Sequence, residues 1–117
     1  MTGTVTDNGV PVIMLQVAGG TWPGIIDTGF NGDLELPDEL RPSVNARFIG
    51  RVASLLASGQ HIEEDVYLVE FPFDGQTIQA EATFVPGSEI LVGTQLLRRH
   101  RLEIHFPEQT VLQERVS

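Results

Sequence analysis

Apolar residues alternate with polar or small residues over short stretches of this chain, and glycine, proline or aspartate interrupts each stretch. Alternation with a period of two is typical of β-strands with one buried face, whereas helices need apolar residues three and four positions apart. We therefore predict an all-β protein, a small closed barrel with one or two short helices. The predicted strands cover residues 10–17, 22–27, 34–37, 51–56, 62–71, 77–85, 90–92, 101–106 and 110–116.

Two turns predict successive β-hairpins. Asp74-Gly75 is a strong two-residue turn signal that joins the apolar stretch 67–73 to the stretch 77–85. The segment Ala57-Ser58-Gly59-Gln60 places a glycine among small polar residues, between the predicted strands at 51–56 and 62–71. This pattern is typical of a hairpin tip, and the tip should lie near Gly59.

Two short helices are predicted. Asp38 suits the positive N-terminal end of a helix, and Pro42 should keep that helix short. Thr94 is a candidate N-cap for a second helix that runs through Arg99. The basic cluster Arg98-Arg99-His100-Arg101 would then be the solvated end of the second helix, where the helix dipole favours cations.

The length of 117 residues is typical of one domain, which we expect to span residues 1–117. With 41% hydrophobic residues, the chain can form a core without cross-links. It contains no cysteine, which excludes disulfides and thiolate metal sites. Because a cysteine-free chain fits a reducing compartment, we expect a cytoplasmic protein.

The charge balance restricts the partners. The chain has sixteen acidic and seven basic residues. Its net charge of -9 disfavours nucleic acid or an anionic membrane as a partner. The N-terminus lacks the basic and apolar regions of a signal peptide, and no apolar run approaches the ~20 residues that span a bilayer. We expect no nucleic-acid or membrane partner.

The strongest candidate for chemistry is Asp27-Thr28-Gly29. It follows the apolar stretch 22–26 and precedes a turn at 30–33 and a second apolar stretch at 34–37. Because a carboxylate can act as a general acid or base, Asp27 is a candidate catalytic residue. The tripeptide alone is a weak signal, but its flanks and the later segment Ile90-Leu91-Val92-Gly93 strengthen it.

Other polar residues are weaker candidates. Asp33 and Glu35 are expected at the surface end of a hairpin, facing solvent, although Asp33 alternatively holds the turn by binding backbone amides. His100 and His105 are five residues apart, which matches no usual metal-ligand spacing. We expect no metal and no organic cofactor.

The order of these motifs resembles the single-domain retropepsin-like aspartic protease family (clan AA), and the flanks of Asp27 are especially similar to its bacterial members. The resemblance spans roughly residues 10–106. It implies that Asp27 is the catalytic aspartate, that Thr28 bonds across a dimer, and that Gly29 lets the substrate backbone approach. Ile90, Leu91, Val92 and Gly93 match the apolar strand and glycine that support the catalytic loop. Ala57, Ser58, Gly59 and Gln60 match the flap that closes over bound peptide.

The resemblance also implies a homodimer, because the family mechanism needs two aspartates and this chain has one Asp-Thr-Gly. The predicted C-terminal strand at 110–116 would then pair with its counterpart across the dimer axis, or it completes the sheet of its own chain. Phe30 departs from the family, in which many members have Ala, Ser or Thr at this position. It would either narrow the cleft or pack elsewhere.

The resemblance implies an aspartic endopeptidase whose substrate is an extended peptide or protein segment. The alternative is a catalytically inactive module of the same fold that binds peptide or mediates dimerisation, because fold does not determine function. A third alternative is a structural all-β domain in which Asp-Thr-Gly is a coincidence.

Overall fold

The computed structural model describes residues 1–116; Ser117, the last residue of the predicted domain, lies outside them. The described chain contains β-strands, a 3₁₀ helix at Asp38–Ser43 and a one-turn helix α1 at Thr94–Leu97. The strands are β1 Thr2–Val5, β2 Pro11–Val17, β3 Gly20–Ile26, β4 Leu34–Pro37, β5 Ala46–Leu55, β6 His61–Phe73, β7 Gln76–Val85, β8 Ile90–Val92, β9 His100–His105 and β10 Thr110–Arg115.

All ten of these strands belong to one hydrogen-bonded sheet, in the order β5-β6-β7-β4-β8-β3-β2-β1-β10-β9. Most neighbours are antiparallel, but β3 pairs with β8 and β4 pairs with β7 in parallel. These two parallel pairs bring distant parts of the chain together around the end of β3. The predicted all-β class with two short helices is confirmed.

One buried row of side chains runs across the centre of the sheet. Ile26 is in register with Val92, Val92 with Leu34, and Leu34 with Ala82. All four side chains are buried and belong to a single hydrophobic cluster. Burying a side chain the size of Ile26, Val92 or Leu34 contributes roughly 1.5–3 kcal/mol, so this row fixes the strands that carry the candidate catalytic residues.

The hairpin strands are longer than predicted, and β1 was missed. β5 begins at Ala46, where charged and exposed residues obscure the alternation, and its register with β6 shifts between Phe48 and Gly50. β1 has the sequence Thr-Gly-Thr-Val, which carries no alternating apolar pattern. It is a strand because its backbone pairs with β2 on one side and β10 on the other.

The second predicted helix requires correction. The N-cap of α1 is Gly93 rather than Thr94, and the helix ends at Leu97. The basic cluster is therefore not the end of a longer helix, because His100 and Arg101 already belong to β9. In the first helix, Pro42 lies inside the 3₁₀ segment.

The C-terminal strand completes the sheet of its own chain. β10 pairs with β1 along one edge and with β9 along the other. The β1 register covers residues 110–112 and the β9 register covers residues 110–115. β10 therefore completes the sheet of its own chain, which is the alternative weighed above, and pairing of residues 110–116 across a dimer axis stays a prediction.

Candidate active site

Asp27 is held at the end of β3 by backbone hydrogen bonds. Its amide donates to the carbonyl of Val92 at 3.0 Å, and its carbonyl accepts from the amide of Phe30 at 3.1 Å. Its carboxylate oxygen Oδ1 accepts from the amide of Gly29 at 2.9 Å. Asp27 is half-buried. The loop therefore fixes the orientation of a carboxylate that still reaches solvent.

The turn after Asp27 is attached to the start of α1. The amide of Gly93 donates to the carbonyl of Asp33 at 2.9 Å, that of Thr94 to Phe30 at 2.9 Å, and that of Gln95 to Gly32 at 3.2 Å. The first amides of a helix have no partner within the helix. Here they bind carbonyls of the loop that follows Asp27, so the two segments position each other.

Gly93 allows this close approach. A Cβ atom at Gly93 would lie 2.1 Å from the carbonyl oxygen of Gly32 and 2.8 Å from the Phe30 ring. A Cβ at Gly32 would also lie 2.8 Å from that ring. The ring of Phe30 thus packs beside two glycines, which explains how a large aromatic residue fits at this position.

Thr28 and Gly29 are exposed beside Asp27, and Gly93 is buried. Along β8, Ile90 and Val92 are buried, whereas Leu91 is half-buried. The structure therefore brings together the two predicted motifs, Asp27–Gly29 and Ile90–Gly93, which are about sixty residues apart in sequence.

Asp33 and Glu35 do not occupy the solvent-facing positions expected for them, since both are half-buried. Asp33 Oδ2 accepts a hydrogen bond from the amide of Glu81 on β7 at 2.9 Å, so it binds backbone as the alternative expected, but on a distant strand and not in its own turn. Glu35 is half-buried on β4, in register with Leu91 of β8 and Thr83 of β7.

The pKa of Glu35 is raised above 4.5, first by burial and then by repulsion from Glu64 and Asp27. Glu35 is only a weaker, solvent-facing candidate from the sequence, which also does not place Glu64 beside it. The alternation Leu34-Glu35-Leu36 was the available signal, because it places Glu35 on the face opposite the core.

We predict that Glu35→Gln raises the melting temperature at neutral pH, by on the order of 2 °C. The folded protein binds this proton more tightly than the unfolded chain, so ionised Glu35 destabilises the fold at pH values above its raised pKa. The penalty disappears below the unfolded value of 4.5. Calorimetry at pH 7 and pH 3.5 should show the gain only at pH 7, and an equal gain at both would contradict this account. Glu103→Gln, on the exposed edge strand β9, is the charge-matched control.

The predicted hairpin tip lies between β5 and β6. Ala57, Ser58, Gly59 and Gln60 are all exposed there. The amide of Leu56 donates to the carbonyl of Gln60 at 2.8 Å, and the amide of Gly59 donates to the carbonyl of Leu56 at 2.9 Å. Gly59 has a φ of 86°, which favours glycine.

A cavity of about 500 Å³ separates this hairpin from the loop after Asp27. Its wall includes Phe30, Glu35 and residues of the turn on one side, and Val52, Leu55 and Glu64 of the hairpin on the other. Val52 and Leu55 are exposed apolar side chains. The cavity is large enough for side chains of a bound peptide.

Within residues 1–116, no group of three or more His, Asp or Glu side chains is arranged to hold a metal ion. No helix in this part of the chain has the length and apolar character needed to cross a membrane.

Comparison with known proteins identifies the fold through structure. The chain aligns with a retropepsin-like aspartic protease from Rickettsia conorii over 97% of its own length and 89% of the other chain, with a TM-score of 0.67 and 15% identity. The chain has the retropepsin-like aspartic protease fold. No protein-family model and no curated protein matches the sequence.

Two viral proteases share this retropepsin-like fold. The protease of simian foamy virus (mac) aligns with 74% of this chain and 91% of its own, at a TM-score of 0.59 and 20% identity. The EIAV protease complexed with the inhibitor HBY-793 aligns with 81% of this chain and 91% of its own, with a TM-score of 0.58 and 13% identity. At these identities the likeness concerns the fold, and the chemistry has to be argued from the site.

Proposed function

We propose that this protein is an aspartic endopeptidase that acts as a homodimer, with one Asp27 from each subunit. The observation that carries the proposal is the position of Asp27 in a retropepsin-like fold. Its half-buried carboxylate is oriented by the amide of Gly29 on a loop attached to Gly93. One chain supplies one such loop, so a two-fold axis would supply the second.

The proposed chemistry uses a water molecule between the two Asp27 carboxylates. Two carboxylates so close share one proton, because both cannot readily ionise. The ionised carboxylate accepts a proton from the water, which attacks the peptide carbonyl, while the protonated carboxyl donates to the carbonyl oxygen. The resulting tetrahedral intermediate collapses with proton transfer to the leaving amine. The two subunits of such a dimer are equivalent, so neither role belongs to one subunit. The mechanism needs no metal or organic cofactor.

The β5–β6 hairpin serves as the flap in this proposal. An extended peptide would lie between the hairpin and the catalytic loops and add main-chain hydrogen bonds as a strand. The exposed tip around Gly59 would close over it, and Gly29 would allow its backbone to approach. The cytoplasmic location and the single-domain organisation remain predictions.

Cleavage of a peptide library, read by mass spectrometry from acid to neutral pH, tests the proposed activity. The protein concentration must be high enough to populate a dimer. Specific cleavage by the native protein that is absent from Asp27→Asn supports the proposal. No cleavage by either protein, together with a dimeric mass, would favour the inactive peptide-binding module. A strictly monomeric mass at high concentration would count against the mechanism itself.

We predict that Thr28→Ala weakens the dimer about 30-fold. In the proposed dimer, the exposed Thr28 hydroxyl binds across the axis, and two symmetry-related hydrogen bonds of ~1 kcal/mol each account for this factor. Sedimentation equilibrium measures the dissociation constant, and specific activity should fall on dilution at correspondingly higher concentrations. Thr21→Ala, at an exposed position of β3, is the matched control; equal constants for the two variants would contradict the role of Thr28.

A further inference from the structure

A second row of side chains crosses the sheet next to Asp27, on the face opposite the core. Ile25 of β3 is in register with Leu91 of β8, Leu91 with Glu35 of β4, and Glu35 with Thr83 of β7. All four are half-buried. Three of them have the uncharged character expected of the floor of a cleft, and Glu35 is the charged exception.

Glu35 also borders the cavity between the floor and the β5–β6 hairpin. Glu64 lines the same cavity from the hairpin, and Val52, Leu55 and Val66 are among its apolar lining residues. Asp33, another lining residue, already binds the amide of Glu81. The cavity therefore combines apolar residues with four acidic ones, of which Glu35 and Glu64 come from opposite sides of the proposed cleft.

The charges of these carboxylates are not neutralised within the cavity. None of the lining residues in the described part of the chain is cationic. Glu64 also borders a neighbouring cavity with two arginines, but Arg51 pairs with Glu63 and Asp65, and Arg41 stacks over the Tyr67 ring. Burial raises the pKa of Glu35, and repulsion from Glu64 and Asp27 adds to the rise.

We infer that Glu35, assisted by Glu64, selects a peptide with a lysine or arginine side chain close to the cleaved bond. The inference rests on the proposed function, because it takes the cavity as part of the substrate cleft. A long basic side chain has an apolar stem and a cationic head. Its stem would contact Val52, Leu55 and Val66, and its head would reach the two carboxylates. An acidic side chain would be repelled from the same position.

Matched peptides test this selectivity. In one series of peptides, a single lysine is placed in turn at each position from three residues before to three residues after the cleaved bond. In the twin series, norleucine replaces that lysine, so that only the ammonium group is missing. At one position the native protein should cleave the lysine peptide about tenfold better in kcat/KM, equivalent to ~1.4 kcal/mol. Glu35→Gln should reduce this ratio to nearly one, whereas the charge-matched control Glu103→Gln should keep it.

A binding measurement separates failure of the inference from failure of the proposed function. Fluorescence anisotropy with Asp27→Asn, alone and combined with Glu35→Gln, gives dissociation constants for the same peptides without cleavage. One outcome is that the native protein cleaves no peptide, while Asp27→Asn binds the lysine peptides better than their twins and loses this preference when Glu35→Gln is added. In that case the proposed peptidase fails and the inference stands. If no lysine peptide is bound or cleaved better than its twin, or if Glu35→Gln leaves the ratio unchanged, the inference is overturned.

Discussion

Gly93→Ala is expected to destabilise the protein by about 3 kcal/mol and to lower its melting temperature by about 15 °C. The new Cβ would lie 2.1 Å from the carbonyl oxygen of Gly32. Neither backbone can move freely, because Gln95 donates to that carbonyl and Gly93 itself donates to Asp33. Relief of the overlap must separate α1 from the loop that follows Asp27. Thermal unfolding measures the loss.

Peptide cleavage by Gly93→Ala should also fall under conditions in which the variant remains folded, because the displaced loop is the one that orients Asp27. Gly20→Ala is the matched control: its Cβ would meet only the Trp22 side chain, at 3.5 Å, an ordinary contact. Melting temperatures that differ by less than about 2 °C between the two variants would show that the contact between Gly93 and Gly32 does not hold the loop.

The sequence predicted the central strands well because their signals are local. Leu34–Pro37 and Ile90–Val92 have the bounds expected from their apolar runs and adjoining turns. β1 could not be predicted in this way, since it is held as a strand by its neighbours β2 and β10. The same limitation affected β10, whose pairing depends on where β1 and β9 lie.

The candidate site likewise has features that the sequence predicts and features that it does not. The sequence alone reveals the motifs at Asp27 and Gly93, and the structure joins them by hydrogen bonds. Glu35 was expected in solvent because a glutamate beside a turn is usually exposed. Its actual position follows from the pairing of β4 with both β7 and β8, which is long-range information that a single stretch of sequence does not contain.

Asp27→Asn is expected to reduce kcat for peptide cleavage by on the order of 10⁴-fold, the upper range for loss of general acid–base catalysis. The substitution removes the ionisable group from both halves of the proposed pair at once. The fold should remain, because an asparagine side-chain oxygen can still accept the hydrogen bond from the amide of Gly29 that Asp27 Oδ1 accepts. The melting temperature should therefore stay close to that of the native protein.

The matched control for Asp27→Asn is Asp38→Asn, which removes the same charge at an exposed position of the 3₁₀ helix. It should leave kcat and its pH dependence unchanged. Asp27→Asn preparations that keep native cleavage with the same pH profile would exclude Asp27 as the catalytic group. Loss of activity accompanied by loss of the dimer would instead show that Asp27 acts through assembly, so the subunit mass of each variant has to be measured beside its rate.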